Sequence, residues 1–406
     1  TAASLPLSAD DCNRNGVEDE LDINAETSLD CDEDGVPDEC QLAPVDFSSR
    51  ELGITVSRYP RAITCADVDS DGVLDIITAN KDGDTLSMVS VLKNDGNGIF
   101  ERADFDDAVR ASDIAAADFD GDEAVDLITA NYYTIEVLWN DGTGSFEERS
   151  SIQVERGTRH AAAGDLNGDG LVDIYICNYV DWSFDNHPDC RSFDQKPDIC
   201  GPRSFKALAD VLYFNNGDGT FRDVSATAGL VEGEEREFSK GLGVLLGDVD
   251  LDNDLDIYVA NDSTPNFLYI NDGLGNFSER GLVRSVAFDS RGGANGSMGL
   301  DLGDYNGDLL PDLCVANYEQ EPFGIYENQG GGMFLHASDK TGVITLGDVF
   351  VGFGTAFWDL DRDGDEDLLV TNGHVIKYPE SGQVRQLPLL LVNHQGRRFQ
   401  RQEFPG

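Results

Sequence analysis

An all-β propeller built from four-stranded antiparallel blades is the fold class that this sequence predicts. Three observations predict it. A nine-residue acidic loop recurs six times between apolar runs. The same strand-turn-strand pattern follows each copy, and no long 3.6-residue periodicity interrupts the series. Repetition at intervals near fifty residues is the signature of a propeller blade. The expectation is six complete repeats in six or seven blades, preceded by a small calcium-binding N-terminal arm.

Each element of the repeat has its own reason. An apolar strand runs into the loop, as in Gly243-Val-Leu-Leu-Gly-Asp248, and a second leaves it, Leu255-Asp-Ile-Tyr-Val-Ala-Asn261. β-Branched and aromatic residues fill both. A third strand ends in a turn, Phe267-Leu-Tyr-Ile-Asn271-Asp272-Gly273, and a fourth begins at an aromatic, Phe277. Turn Asn and strand aromatic keep a fixed interval: Asn94 and Phe100, Asn140 and Phe146, Asn215 and Phe221, Asn271 and Phe277, Asn328 and Phe334, Asn393 and Phe399. Asn-Asp-Gly and its Gly-rich variants supply the positive φ of a tight hairpin.

The loops carry the chemistry. Oxygen side chains at positions 1, 3, 5 and 9 form the spacing that wraps a hard cation, with the carbonyl of position 7 as a further ligand. The candidate ligands are Asp67, Asp69, Asp71 and Asp75; Asp118, Asp120, Asp122 and Asp126; and Asp165, Asn167, Asp169 and Asp173. The later copies offer Asp248, Asp250, Asp252 and Asp256; Asp304, Asn306, Asp308 and Asp312; and Asp359, Asp361, Asp363 and Asp367. Position 6 needs a left-handed backbone, which Gly72, Gly170 and Gly364 supply easily and Asn253 tolerably. Glu123 and Leu309 suit it less, which ranks the loops at Asp118 and Asp304 weakest. The even distribution of loops predicts that calcium staples each hairpin rather than captures a ligand.

Residues 1–44 differ in character. Two tandem loops offer Asp11, Asn13, Asn15 and Asp19, then Asp30, Asp32, Asp34 and Asp38, among few apolar residues. Such a segment cannot bury a core without metal or disulfides. Residues 45–406 hold the repeats, and 45–52 read as an orphan fourth strand. The long third interval comes from an insertion, 181–209, between the second and third strands of repeat three. A disulfide is expected there between Cys190 and Cys200, and one pair among Cys12, Cys31 and Cys40. Cys65, Cys177 and Cys314 fall in strands expected to be buried, as small hydrophobes or as bridges.

The formal net charge is −50, yet 40% of residues are hydrophobic, so acidity does not signal disorder here. Nucleic acid and anionic membranes would be repelled. About eight bound Ca2+ would bring the charge to about −34. No apolar run approaches the ~20 residues of a membrane span, and the start at Thr1 reads as a processed secreted chain.

The repeats resemble the FG-GAP (VCBS) repeats of integrin α-chain propellers. Cys200-Gly-Pro-Arg203, Lys240-Gly-Leu-Gly, Ala260-Asn-Asp-Ser-Thr-Pro-Asn266, Gly352-Phe-Gly-Thr-Ala-Phe357 and Thr371-Asn-Gly-His-Val375 resemble the ASPIC/UnbV family, which includes cartilage acidic protein. The N-terminal loops resemble bacterial calcium repeats and, more distantly, dockerin and thrombospondin type 3 repeats. The resemblance implies a propeller, usually seven-bladed, with calcium at its loops and an extracellular binding or adhesion role. The family's C-terminal module has no counterpart up to Gly406.

No catalytic constellation stands out. The five histidines, His160, His187, His336, His374 and His394, lack metal-ligand spacing, and the acidic residues belong to loops. The expectation is a non-enzymatic, secreted structural or adhesion protein acting through protein contacts. Self-assembly into a surface filament by strand or arm exchange is part of it. The competing expectation is a lectin-like propeller with Trp139, Trp182, Tyr132, Tyr133, Tyr179 and Trp358 as stacking candidates; a polysaccharide-active enzyme ranks below both. Blade packing accounts for most of these aromatics, with Trp182 the exception. Sequons stand at Asn261, Asn276 and Asn295, the first at a structural strand end.

Overall fold

The computed structural model describes residues 56, 60–82, 86–97, 99–107, 111–131, 133–154, 157–231, 237–345, 349–379 and 383–402. The two N-terminal loops (Asp11 to Asp38), Cys12, Cys31, Cys40, the strand expected at 45–52 and Tyr132 lie outside them. The described residues form six four-stranded antiparallel blades, which makes the protein a six-bladed propeller. Blade one is β1 (Pro60–Ala66), β2 (Asp75–Asp82), β3 (Leu86–Asn94) and β4 (Phe100–Asp107). Blade two is β5 (Asp113–Ala117), β6 (Asp126–Ala130), β7 (Thr134–Trp139) and β8 (Glu148–Gln153). Blade three is β9 (Thr158–Gly164), β10 (Asp173–Asn178), β11 (Val211–Asn215) and β12 (Phe221–Asp223). Blade four is β13 (Gly241–Gly247), β14 (Asp256–Asn261), β15 (Phe267–Asn271) and β16 (Phe277–Glu279). Blade five is β17 (Leu300–Gly303), β18 (Asp312–Val315), β19 (Gly324–Asn328) and β20 (Phe334–His336). Blade six is β21 (Gly352–Trp358), β22 (Asp367–Asn372), β23 (Leu389–Asn393) and β24 (Phe399–Gln402).

Side-chain alternation along the strands gives each blade two apolar faces, and successive blades bury them against each other. Five hydrophobic cores result, one at each seam from blades one and two to blades five and six. Tyr175 and Tyr269 meet at the third seam, and Tyr305, Phe323 and Phe399 at the fifth. Each fully buried side chain of this size contributes about 1.5–3 kcal/mol. Among the described residues no such core joins blade six to blade one.

Backbone brackets lock the loops to the hairpins. The ninth-position carboxylate of blade one accepts from the Val68 amide at 3.1 Å and the Asn94 amide at 2.7 Å. Asp126, Asp173, Asp256 and Asp367 make the equivalent pairs. The turn Asn then reaches the preceding blade. Asn140 donates to the Val68 carbonyl, Asn215 to Phe119, Asn271 to Leu166, Asn328 to Val249 and Asn393 to Tyr305, at 2.7–3.0 Å. Asn94 of blade one instead donates to Leu74 of its own blade.

Two expectations need correction. Cys65 is exposed rather than buried, while Cys177 and Cys314 are buried free thiols. Trp358 is 68% exposed, so blade packing does not account for it. Both residues lie on the terminal blades, which share no core with each other among the described residues. The insertion at 181–209 is a strap held by the Cys190–Cys200 disulfide. It crosses to blade six, where the Asp198 carboxylate accepts from the amides of Lys377 at 2.9 Å and Tyr378 at 3.2 Å. Trp182 packs within the strap against Phe184 and donates to His187.

Candidate metal centres and the opposite face

Antiparallel order puts the acidic loops and the β3–β4-type turns on one face of the propeller. Each loop is shaped by its first Asp. Asp67 accepts from the amides of Asp71 at 3.1 Å and Gly72 at 2.9 Å. The position 6 amide repeats this contact in the other five loops. Position 6 is left-handed in every loop, including the less suited Glu123 (φ 73°) and Leu309 (φ 67°).

Four loops bring three carboxylates together with oxygens within 4.8 Å of one another: Asp67, Asp69 and Asp71; Asp118, Asp120 and Asp122; Asp248, Asp250 and Asp256; and Asp359, Asp361 and Asp363. The Asp118 loop, ranked weak on sequence, is among them. In blade four the third partner is Asp256 rather than Asp252. Blades three and five place a carboxamide, Asn167 or Asn306, at position 3. In blade three, Asp165 accepts from the Gly168 and Gly170 amides and Asp169 from Leu171. In blade five, Asp304 accepts from the amides of Asp308 and Leu309. There the Asn306 amide donates to Asp312 at 3.0 Å, so this loop is knitted to itself.

The donor set fits a hard divalent cation. It is made of oxygens alone. One oxygen of the position 3 carboxylate, in Asp69, Asp250 and Asp361, is buried without a hydrogen-bond partner. Buried unpaired carboxylate oxygens are costly unless a cation meets them. Burial, with the neighbouring loop carboxylates adding, raises the Asp120, Asp250 and Asp361 carboxyls, and that of Asp363 to about 6. Burial also lifts the ninth-position carboxyls: Asp126 and Asp173 to about 6, Asp256 to about 7 and Asp312 to about 8. A bound cation would supply the charge compensation that the loops lack. The bracketing role of the ninth Asp was legible only as a ligand position, because sequence spacing does not distinguish a carboxylate aimed at metal from one aimed at amides.

The opposite face carries a polar network that motif reading did not assign. The Asp262 carboxylate accepts from the Tyr179 hydroxyl at 2.5 Å and the Ser263 hydroxyl at 3.0 Å. Lys240 is buried and donates to the Pro202 carbonyl of the strap at 3.0 Å. Burial lowers its ammonium pKa. Glu321 accepts from the Gly296 amide at 2.6 Å, and Nε2 of buried His374 lies 3.2 Å from Glu319. The signal was present: Lys240, Asp262 and His374 sit in the stretches that carry the ASPIC/UnbV resemblance. Tyr133 is exposed and Trp139 packs between blades two and three. Asn261 is fully buried, which removes its sequon as an acceptor, while Asn276 is exposed.

Comparison with known proteins agrees with this geometry. The chain is 27% identical over 305 residues to human cartilage acidic protein 1, covering 68% of this chain and 41% of that protein. The mouse protein gives 27% over 302 residues, covering 68% and 42%. The chain thus spans less than half the length of these relatives. Among solved structures, an Agrocybe aegerita lectin that recognises non-reducing terminal N-acetylglucosamine aligns with a TM-score of 0.46 at 17% identity, over 83% of this chain and 78% of that one. The V. cholerae biofilm matrix protein Bap1 aligns with a TM-score of 0.36 at 15% identity, over 68% and 38%. The model of the FG-GAP-like repeat matches residues 67–129, 118–176, 248–315 and 304–370, more than half of the chain. Its repeats coincide with the blades and loops described above, and the chain belongs to the FG-GAP-like repeat family.

Proposed function

We propose that this protein is a secreted, calcium-binding propeller that acts as a structural or adhesion protein through protein contacts and assembles with itself. The observation that carries the calcium part is the set of oxygen-only loops with orphaned carboxylate oxygens at Asp69, Asp250 and Asp361. Calcium at millimolar concentration outside cells would fill loops of this kind. A secreted location is supported by the Cys190–Cys200 disulfide and by the likeness to cartilage acidic protein. No helix among the described residues is long and apolar enough to cross a membrane.

The structural role is supported by how function and stability share residues. Calcium would hold each loop, the ninth Asp ties that loop to its hairpin, and the turn Asn ties the hairpin to the preceding blade. Negative-stain microscopy of the full chain with calcium and with a chelator tests the reading. Ordered propellers that associate in calcium and come apart in chelator support it. Identical particles in both conditions, together with no calcium uptake by calorimetry, overturn it. A carbohydrate-binding reading is favoured by exposed aromatic rings at Tyr133, Phe184 and Phe193. A glycan array comparing wild type with Phe184→Ala decides it: signal lost in the variant supports a lectin, and no signal in either removes it.

A further inference from the structure

Three seams inside the propeller follow one steric rule, and the free face of blade six reverses it. The residue before each loop, on the face that meets the next blade, is Ala66, Ala117, Gly164, Gly247, Gly303 and Trp358 in blades one to six. Space explains the three glycines. A Cβ at Gly164 would lie 2.7 Å from Leu255, and one at Gly303 would lie 2.7 Å from the Cβ of Phe357. Large residues of the following blade press there: Leu246 on Gly164, Leu302 on Gly247, Phe357 on Gly303. The position that does the pressing is the second before each loop. In blade one that position is Cys65, a small residue.

Blade six therefore presents a knob, Trp358, where the other blades present a gap. Blade one presents a small residue, Cys65, at the position where blades two and three have Ala116 and Ala163 and where blades four to six present a knob. The two halves have complementary volumes, but among the described residues no hydrophobic core joins them. Trp358 is 68% exposed, and Ile63 on β1 is 66% exposed while its counterpart Ile114 is 5% exposed. Among the described residues the Leu360 carbonyl of blade six also receives no turn Asn, unlike its five counterparts.

We infer that this open seam is an interface with a second copy of the chain, the Trp358 face of blade six meeting the Ile63 and Cys65 face of blade one in the next copy. The inference rests on the assembly part of the proposed function and names its contact surface. The occupant is a second copy because one chain carries both matched halves and the five internal seams pair the same two kinds of face. A contact joining different faces of successive copies builds a ring where its rotation closes and a filament where it does not.

Cysteine pairing in the full chain tests it. Trp358→Cys places a thiol opposite exposed Cys65, and the other cysteines serve as background in the wild type. Under mild oxidation in calcium, the expected product on a non-reducing gel is a ladder of multimers, absent from wild type and from Trp358→Cys/Cys65→Ser. A fast-migrating monomer would show Cys65 of the same chain, and would overturn the second copy as occupant. No new product at all would overturn the seam as a contact. Light scattering adds a readout without cysteine chemistry. Trp358→Glu should weaken association at least tenfold, while Phe184→Ser on the strap should not. The high exposure of Trp358 predicts unchanged folding and calcium uptake in Trp358→Glu. Wild-type protein that remains monomeric at high concentration overturns the inference. The calcium-binding reading fails separately, through absent uptake in wild type.

Discussion

Removing the side chain of Asn328 should cost far more than removing that of Asn94, although the two occupy the same place in their repeats. The Asn328 amide donates to the carbonyls of Val249 at 2.8 Å and Pro311 at 3.1 Å, and its oxygen accepts from Gly330 at 2.9 Å. The residue is fully buried. In Asn328→Ala three backbone groups lose their partner, and the Val249 bond is the one that spans two blades. Each unsatisfied buried group costs about 1–3 kcal/mol. Water reaching the partly exposed Gly330 relieves part of this, which leaves an expected loss of about 3 kcal/mol. Asn94 donates only to Leu74 at 3.2 Å and accepts from Gly96 at 3.1 Å, both at an exposed site. Asn94→Ala should cost under about 1 kcal/mol, because solvent replaces the lost bonds. Denaturant unfolding of both variants in saturating calcium is the assay, read as midpoint shifts with an unchanged slope. Equal losses in the two variants would refute the idea that turn asparagines clamp successive blades.

Other outcomes follow from the same geometry. Buried Asp210 accepts from the Tyr175 hydroxyl at 2.9 Å and the Asn178 amide at 2.8 Å, and burial raises its carboxyl from 3.8 to about 6. A folded pKa above the unfolded one favours the protonated fold, so this contribution is complete below about pH 4 and lost as pH rises through 6. Through linkage that rise is worth about 3 kcal/mol, and Asp210→Asn should flatten the stability profile between pH 4 and 7; an unchanged profile contradicts it. Asp250→Asn should lower calcium uptake by calorimetry more than Asn306→Asp, which adds a carboxylate to the self-bonded loop of blade five and should raise it. Reducing the Cys190–Cys200 disulfide, or Asp198→Ala, should speed hydrogen exchange at the Lys377 and Tyr378 amides; unchanged protection there would mean that the strap does not hold blade six.

The repeating part of the fold was legible because its determinants are local. Loop spacing, the turn Asn and the strand aromatic lie within about fifty residues of one another, and all six blades form where they were placed. The expected disulfide in the strap is likewise local, its cysteines being ten positions apart. What escaped depends on contacts between distant residues. Asp198 meets Lys377 across 179 positions, and nothing in the strap's sequence points to blade six. Cys65 reads as buried because its strand resembles five others, and its exposure goes with a blade face that meets no other core among the described residues. Trp358 could have been noticed as the one bulky residue in a column of Gly and Ala, but its meaning required the steric distances at Gly164 and Gly303. The network around Lys240 and Asp262 joins loops from different blades, so no single motif announced it.

Calcium stoichiometry bears most directly on the central claim that oxygen-lined loops around divalent ions pin the blades together. Native mass spectrometry and calorimetry on the full chain, beside thermal unfolding with and without chelator, measure it. Uptake of about six to eight Ca2+ per chain, with a melting temperature that falls by roughly 10 °C or more in chelator, is the result this account predicts. A chain that takes up none and melts identically in chelator would contradict it.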